Sequence, residues 1–349
     1  MLDNINLIKR IDCSDMLGVV ENFPNQINEA VSLAEDVNLD SSDFSNIIIG
    51  GMGGSGISGD ITEIYFKDKS RIPVYVNKDY NLPSWVDKKT LVFVISYSGN
   101  TEESLCMLKH ALNKKATIIG ISSDGVLERL CYKNSLYHVK VPRGFQPRAA
   151  LAYLLFPTLY ILGEILEVDL SHEIKDVIES TSVLKEKNKR EIPSSENQAK
   201  QIASRLYNRI PQLYGWGIFS PVAKRWRTQL NENSKVIARE DILPECNHND
   251  IVGWSYDKET ARRFACVLFR DKGLEDISIG GRLDFLKNMF LEVAGDVIEI
   301  NSIGRGRLAK IISTIYLGDF VSCYLAVLRN VDPTPVDVIT KLKEKLRRV

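Results

Sequence analysis

Two short stretches of this chain concentrate glycine and hydroxyl side chains where a strand gives way to a helix. The first runs Ile47-Ile48-Ile49-Gly50-Gly51-Met52-Gly53-Gly54-Ser55-Gly56-Ile57-Ser58-Gly59-Asp60, from an apolar run through glycines into a helical pattern. Glycines let the backbone approach a ligand closely, and the helix that follows aims its first N–H groups at it. Ser55 and Ser58 add hydroxyl donors, so the junction suits an anion, phosphate above all. Alone it is ambiguous, because Gly51, Gly53 and Gly56 also form the Gly-x-Gly-x-x-Gly pattern of a dinucleotide loop. The second stretch, Ser96-Tyr97-Ser98-Gly99-Asn100-Thr101-Glu102-Glu103, follows the apolar run Leu91–Ile95. The hydroxyls of Ser96, Ser98 and Thr101 ahead of a helix make a cradle for one phosphate monoester. A capping box would explain Thr101 and leave Ser96 and Ser98 unexplained. Against a dinucleotide, the strand near Val74–Val76 leads into Asn77-Lys78-Asp79 and not into a clean acidic strand end.

Three further residues could do chemistry. Glu232 lies between amides in Asn231-Glu232-Asn233-Ser234-Lys235 at the end of a helical pattern, where its carboxylate could be held by them and move a proton. A solvated surface carboxylate is the plainer alternative. His248 sits in the polar turn Leu243-Pro244-Glu245-Cys246-Asn247-His248-Asn249-Asp250, and a neutral imidazole can donate at one nitrogen while accepting at the other. The other histidines, His110, His138 and His172, lie in amphipathic or connecting segments and read as structural. Arg148 opens an apolar helix after Gln146-Pro147, an odd place for a cation unless an anion meets it. That anion is either a loop carboxylate or a developing enediolate, which a guanidinium stabilises without losing its own proton.

The elements that must position these groups follow from periodicity. Strands are predicted at residues 46–50, 73–76, 91–96, 117–121 and 136–139, with helices near 56–67, 101–113 and 125–131. This alternation gives an α/β fold with a doubly wound parallel sheet, and both cradles fall at strand C-terminal ends, where such sheets bind ligands. A polar stretch from Glu167 to Glu196 reads as a connection, dividing the chain into 1–166, 167–196 and 197–349. The second half repeats the rhythm. Pro211–Gly217 reads as a strand turning through glycine into a helix from Ser220 to Asn233, with strands at 251–254, 264–269 and 296–300 and a long helix from Arg307 to Arg329. It lacks a Ser-x-Ser-Gly-x-Thr of its own, so one phosphate site per chain is expected.

A chain of 349 residues is long enough for two domains, each with its own core. Lys+Arg 45 against Asp+Glu 45 leaves no net charge, which argues against a nucleic-acid or acidic-membrane surface. No uninterrupted apolar run is long enough for a membrane span and the start carries no signal-peptide pattern, so a cytoplasmic protein is expected. Cys13, Cys106, Cys131, Cys246, Cys266 and Cys323 are scattered without a Cys-x-x-Cys pair. No metal site is expected, and whether any two form a disulfide is open.

The paired motifs Gly-Gly-Ser-Gly and Ser-x-Ser-Gly-x-Thr-x-Glu resemble the sugar isomerase (SIS) domain, a doubly wound unit that binds phosphosugars. From about residue 10 to its end the chain resembles the archaeal-type bifunctional phosphoglucose/phosphomannose isomerases, with two SIS subdomains. The resemblance implies that Gly54, Ser55, Ser96, Ser98 and Thr101 hold the phosphate of a hexose 6-phosphate. It further implies that His248 assists ring opening, Glu232 is the base that moves a proton between C2 and C1, and Arg148 stabilises the cis-enediolate. The resemblance makes Ser322 and Arg329 the counterparts of a threonine and a lysine that bear on sugar choice in the family, a departure that keeps the hydroxyl. A homodimer is implied, its histidine reaching into the partner's site, with no cofactor. Rival expectations are a strict phosphoglucose isomerase, an aminosugar-phosphate or sedoheptulose-phosphate isomerase, and a non-catalytic phosphosugar sensor, although no basic DNA-binding segment precedes the first strand.

Overall fold

The computed structural model describes residues 1–37, 39 and 44–346. They group into two compact units that are not linear in sequence. The first holds Asn22–Ser182 and Gly304–Ile311, and the second holds Met1–Glu21, Val183–Ile303 and the chain from Ile312 onward. Residues 1–21 thus group with the second half, unlike in the linear division at 166 and 197. Charge holds them there: Arg190 donates to Glu21 Oε1 at 3.0 Å and Asp15 Oδ1 at 2.7 Å, and buried Lys200 donates to Asp3 at 3.2 Å.

In the first unit the five expected strands form one parallel sheet: β1 (Asn46–Gly51), β2 (Val74–Asn77), β3 (Thr90–Ile95), β4 (Thr117–Ser122) and β5 (Tyr137–Lys140), in the order β2-β1-β3-β4-β5. Ile47, Ile48 and all of Leu91–Ile95 are fully buried, the near-continuous apolar run of strands covered on both faces. Val92 and Val94 pack with Leu108, Ala111, Ile118, Leu127 and Cys131, each aliphatic chain stabilising the fold by roughly 1.5–3 kcal/mol. β1 and β3 are neighbours although the chain leaves them for strands on opposite sides. Their C-terminal ends, Gly51 paired with Ile95, therefore form the topological switch point, where loops diverge and open a crevice.

The second unit has four parallel strands, β6 (Ile210–Trp216), β7 (Arg239–Leu243), β8 (Phe264–Arg270) and β9 (Asp296–Asn301), in the order β7-β6-β8-β9. The strand predicted at 251–254 is instead part of the helix Asp250–Tyr256. Asn249 caps it by accepting the Asp250 N–H, and Val252 is exposed while Trp254 is buried, a helical and not an alternating pattern. The strand that sequence reading missed is β7, Arg239-Glu240-Asp241-Ile242-Leu243. It lies at the sheet edge, where charged side chains oppose further pairing and hide the strand signal.

The helix Arg307–Leu328 is long and apolar enough to cross a membrane by length and composition, although no uninterrupted apolar run is. Of its most apolar window 94% is buried inside the protein, as in the core helix of a globular fold. Its Gly318 lets Trp226 of the helix Ser220–Glu232 approach, since a Cβ there would collide with the indole, and Trp226 Nε1 donates to the Thr314 carbonyl at 2.8 Å.

Candidate active site

The switch point of the first unit brings together Gly54, Ser55, Ser96, Ser98 and Thr101. The helix after β1 begins at Gly53, three residues earlier than predicted, so the glycines form its first turn, and its N-cap Met52 offers no side-chain acceptor. The helix start is open to a ligand anion. The glycines are needed for space: a Cβ on Gly56 would lie 2.6 Å from the Gly51 carbonyl oxygen. Ser55 Oγ accepts the Tyr97 N–H at 3.2 Å, which ties the two cradle loops together. Ser96 Oγ donates to Thr101 Oγ1 at 2.9 Å. Thr101 stands at the N-cap of the helix Glu102–Asn113, yet its hydroxyl makes no capping bond. A capping box therefore does not account for Thr101. Gly99 turns the loop at φ +63, where a side chain would run into the Asp124 carbonyl. Ser58, read as a possible anion donor, is fully buried and donates to the Ser55 carbonyl at 2.6 Å, so its hydroxyl is spent inside the helix.

Arg148 belongs to the same unit. It lies in a 3-10 turn, Pro147–Ala149, directly before the apolar helix Leu151–Ile165, and is only 2% exposed. Gly54 touches its backbone: a Cβ there would stand 2.8 Å from both Arg148 N and Cα. The backbone of Arg148 and the glycine loop thus come into contact through the absence of one side chain.

Glu232 is in the second unit, at the last turn of the helix Ser220–Glu232, and is half-buried. The asparagines beside it pin the turn. Asn231 Oδ1 accepts the Ala238 N–H at 2.9 Å, and Asn233 Nδ2 donates to Ser322 Oγ at 2.9 Å. Ser234 Oγ donates to the Ser322 carbonyl at 2.6 Å, and Lys235 Nζ caps the helix through the Glu232 carbonyl at 2.6 Å. Two turns and one turn back, Arg225 and Gln229 both donate to Asp319, at 2.8 and 2.9 Å. Arg225, Gln229 and Asn233 recur every four residues, so one helical face is laced to the helix Arg307–Leu328 and sets where Glu232 points. Sequence reading missed Asp319, Arg225 and Gln229; polar residues at that spacing in an apolar surrounding were the available signal.

His248 follows β7 in the turn Glu245–His248 and is exposed. Among the described residues its imidazole has no hydrogen bond or ion pair within the chain. The helix it leads into is anchored by Asp250, which accepts from Tyr214 Oη at 2.7 Å and Trp254 Nε1 at 2.9 Å. Tyr214 also stacks on Phe290 at 5.0 Å, whereas the next residue, Gly215, faces Ala223 of the helix that ends in Glu232 and the carbonyl of its N-cap Phe219. Successive strand residues point to opposite faces. The sheet therefore separates the helix of Glu232 from the helix that follows His248. Cys246, in the same turn, is buried; burial, with Asp241 and Asp250 near, pushes its thiol up to about 12 and leaves it inert.

Compared with proteins of known activity, residues 42–141 match the SIS domain model and residues 195–346 match the bacterial phospho-glucose isomerase C-terminal SIS domain model. Along its length the chain is 41% identical, over 341 residues, to the bifunctional phosphoglucose/phosphomannose isomerase of Caldicellulosiruptor bescii, covering 96% of this chain and 99% of that one. The chain belongs to the bifunctional phosphoglucose/phosphomannose isomerase family. The enzyme of that name from Aquifex aeolicus is 36% identical over 95% of this chain and 98% of its own. In fold the chain is similar to a glucose-6-phosphate isomerase like protein from Thermus thermophilus, with a TM-score of 0.65, 18% identity and coverage of 97% and 99%.

Within this family layout, Ser322 is fully buried in the helix Arg307–Leu328. Its hydroxyl donates to the Asp319 carbonyl at 2.7 Å while receiving Asn233. Arg329 is exposed just past the helix end, with Nη2 3.4 Å from the Lys235 carbonyl. Both residues adjoin the turn that carries Glu232. All six cysteines are free, and among the described residues no group of three or more His, Cys, Asp or Glu is placed to hold a metal ion.

Proposed function

We propose that this chain interconverts glucose 6-phosphate and mannose 6-phosphate with fructose 6-phosphate. The observation that carries the reading is the hydroxyl and glycine cradle at the β1/β3 switch point, in a chain related over nearly its whole length to isomerases of both sugars. Gly54, Ser55, Ser96, Ser98 and Thr101 hold the phosphate. His248 donates a proton to the ring oxygen as the anomeric hydroxyl loses its own, and the ring opens to the aldehyde. Glu232 takes the C2 proton, Arg148 stabilises the enediolate oxygens, and the proton returns to C1 to give the ketose. An enediolate is planar, so protonation at C2 from either face yields either aldose from one site. The route moves protons alone, and calls for neither a metal nor a nicotinamide.

We further place the enzyme in the cytoplasm as a homodimer. The sheet between the helix of Glu232 and the helix that follows His248, together with the exposed imidazole, supports a site in which each histidine serves the partner's base. The test is a coupled assay on EDTA-treated, dialysed protein with glucose 6-phosphate and mannose 6-phosphate supplied separately. Turnover of both is expected. Turnover of glucose 6-phosphate alone would reduce the reading to a strict phosphoglucose isomerase, and turnover of neither would overturn it in favour of a phosphosugar sensor.

A further inference from the structure

We propose that Tyr97, between the two serines of the second cradle loop, is a positioning residue that locks Arg148 against the phosphate cradle. The inference rests on reading Arg148 as the cation that stabilises the enediolate. The backbone of Tyr97 serves the cradle: its N–H donates to Ser55 Oγ at 3.2 Å, and its carbonyl accepts from Ser123 N–H at 2.9 Å and Ser123 Oγ at 2.7 Å. Its phenol serves a different segment, donating to the Pro142 carbonyl at 3.0 Å and accepting the Phe145 N–H at 2.8 Å. The ring thus clamps both ends of a turn through Gly144, where φ is +98.

Phe145 lies only three residues before Arg148, whose backbone rests on Gly54. Arg148 is therefore fixed from two sides, by the close approach of Gly54 and by the height at which Tyr97 holds the turn. Tyr97 is 6% exposed, and that burial raises its pKa. The phenol stays neutral and can donate and accept at once, as both contacts require. A phenylalanine would fill the same space without holding the turn. Pro142 and Phe145 are only half-buried, so water can satisfy them and the fold should survive the change.

The test is Tyr97→Phe, followed by kcat and KM for glucose 6-phosphate, inorganic phosphate affinity by calorimetry, Tm, and modification of Arg148 by phenylglyoxal mapped by mass spectrometry. Expected are a roughly 10–100-fold loss of kcat, phosphate affinity and Tm near wild type, and faster modification of Arg148. In an Arg148→Lys background the same change should cost much less, because both act through one group. An unchanged kcat, an undiminished loss in the Arg148→Lys background, or a loss of phosphate affinity as large as that of kcat would overturn the proposal. If the wild type isomerises neither sugar, the functional reading fails in that arm, and the rate of Arg148 modification still decides whether Tyr97 positions it.

Discussion

The two sheets place the same kind of turn at the same kind of switch point, and only one of them is open to an anion. After β1 the turn is glycine and serine, the helix start at Gly53 has no side-chain cap, and Ser96, Ser98 and Thr101 follow β3. β6 ends in Trp216 and the turn after it carries Ile218 and Phe219, all buried, with Trp216 Nε1 donating to the Phe269 carbonyl at 2.8 Å. The loop after β8 brings its own anion. Asp271 Oδ1 accepts the Gly273 and Leu274 N–H groups at 3.0 and 3.1 Å, and its other oxygen accepts from Ser302. Arg270 beside it is taken by Glu275 at 2.8 Å, Asp284 at 2.8 Å and Glu299 at 3.0 Å. Backbone topology offers the site twice; side chains leave it open once and fill it once. In the proposed mechanism the unit whose switch point is filled is the one that carries the base and the histidine.

The strongest way to break that division is at Glu232. Glu232→Gln keeps the size and hydrogen bonding but cannot take a proton from carbon, so kcat should fall by about 10²–10⁴-fold. Exchange of the C2 hydrogen with solvent should stop for both sugars together. Glu245→Gln, whose carboxylate accepts from Asn249 at 3.1 Å, should retain most activity. If each histidine serves the partner's base, mixing Glu232→Gln with His248→Ala chains should restore activity after subunit exchange, since one site in a heterodimer would then have both groups intact. If Glu245→Gln is the dead variant instead, the base is misassigned.

Next in size is the cradle itself. Ser96→Ala with Thr101→Ala removes the two hydroxyls assigned to the phosphate, each contact to a charged group worth about 1.5 kcal/mol, so KM should rise on the order of 10²-fold with a smaller change in kcat. Ser302→Ala, which strips the hydroxyl from the filled site of the second unit, should leave KM unchanged. Equal KM effects from the two variants would mean that both switch points hold substrate.

The same contrast explains what was legible in sequence. Glycines and hydroxyls at strand ends are local signals, so the first sheet and its cradle could be read directly from Ile47–Gly56 and Leu91–Thr101. β7 could not, because an edge strand written Arg-Glu-Asp reads as a loop, and Ile251-Val252 reads as a strand until Asn249 is seen to cap a helix. Asn231 and Asn233 were legible as polar neighbours of Glu232, but their targets, Ala238 and Ser322, are set by tertiary packing. So too with residues 1–21: the ion pairs of Asp3, Asp15 and Glu21 reach partners more than 160 positions away, beyond any periodicity.

A milder test uses two glycines. Gly54→Ala would push a Cβ to 2.8 Å from the backbone of Pro147 and Arg148, and overpacking of that kind costs about 1–3 kcal/mol. Gly217→Ala, at φ +44 with nothing within 4 Å, suffers only backbone strain of about 1–2 kcal/mol. Both should lower Tm by similar amounts, read by calorimetry. Only Gly54→Ala should also lower kcat, because it displaces Arg148. A matching kcat loss at Gly217 would tie the second turn to the chemistry and blur the division between the units.

The smallest expected effect separates support from substrate choice. Ser322 is buried, and its hydroxyl both receives the Asn233 amide and donates to the Asp319 carbonyl. Ser322→Ala leaves the Asn233 amide without that partner, at a cost of about 1–3 kcal/mol in stability. If the hydroxyl only steadies the turn of Glu232, kcat/KM should fall by the same modest factor for glucose 6-phosphate and mannose 6-phosphate. If it helps to sort the epimers, the ratio of the two values should change even where both fall. Ser322→Thr is the sharper companion, because it keeps the hydroxyl and adds a methyl group to a site with no exposed surface. A role confined to support predicts lost stability from overpacking and an unchanged sugar ratio, whereas a shifted ratio in both variants would place Ser322 among the residues that choose the sugar.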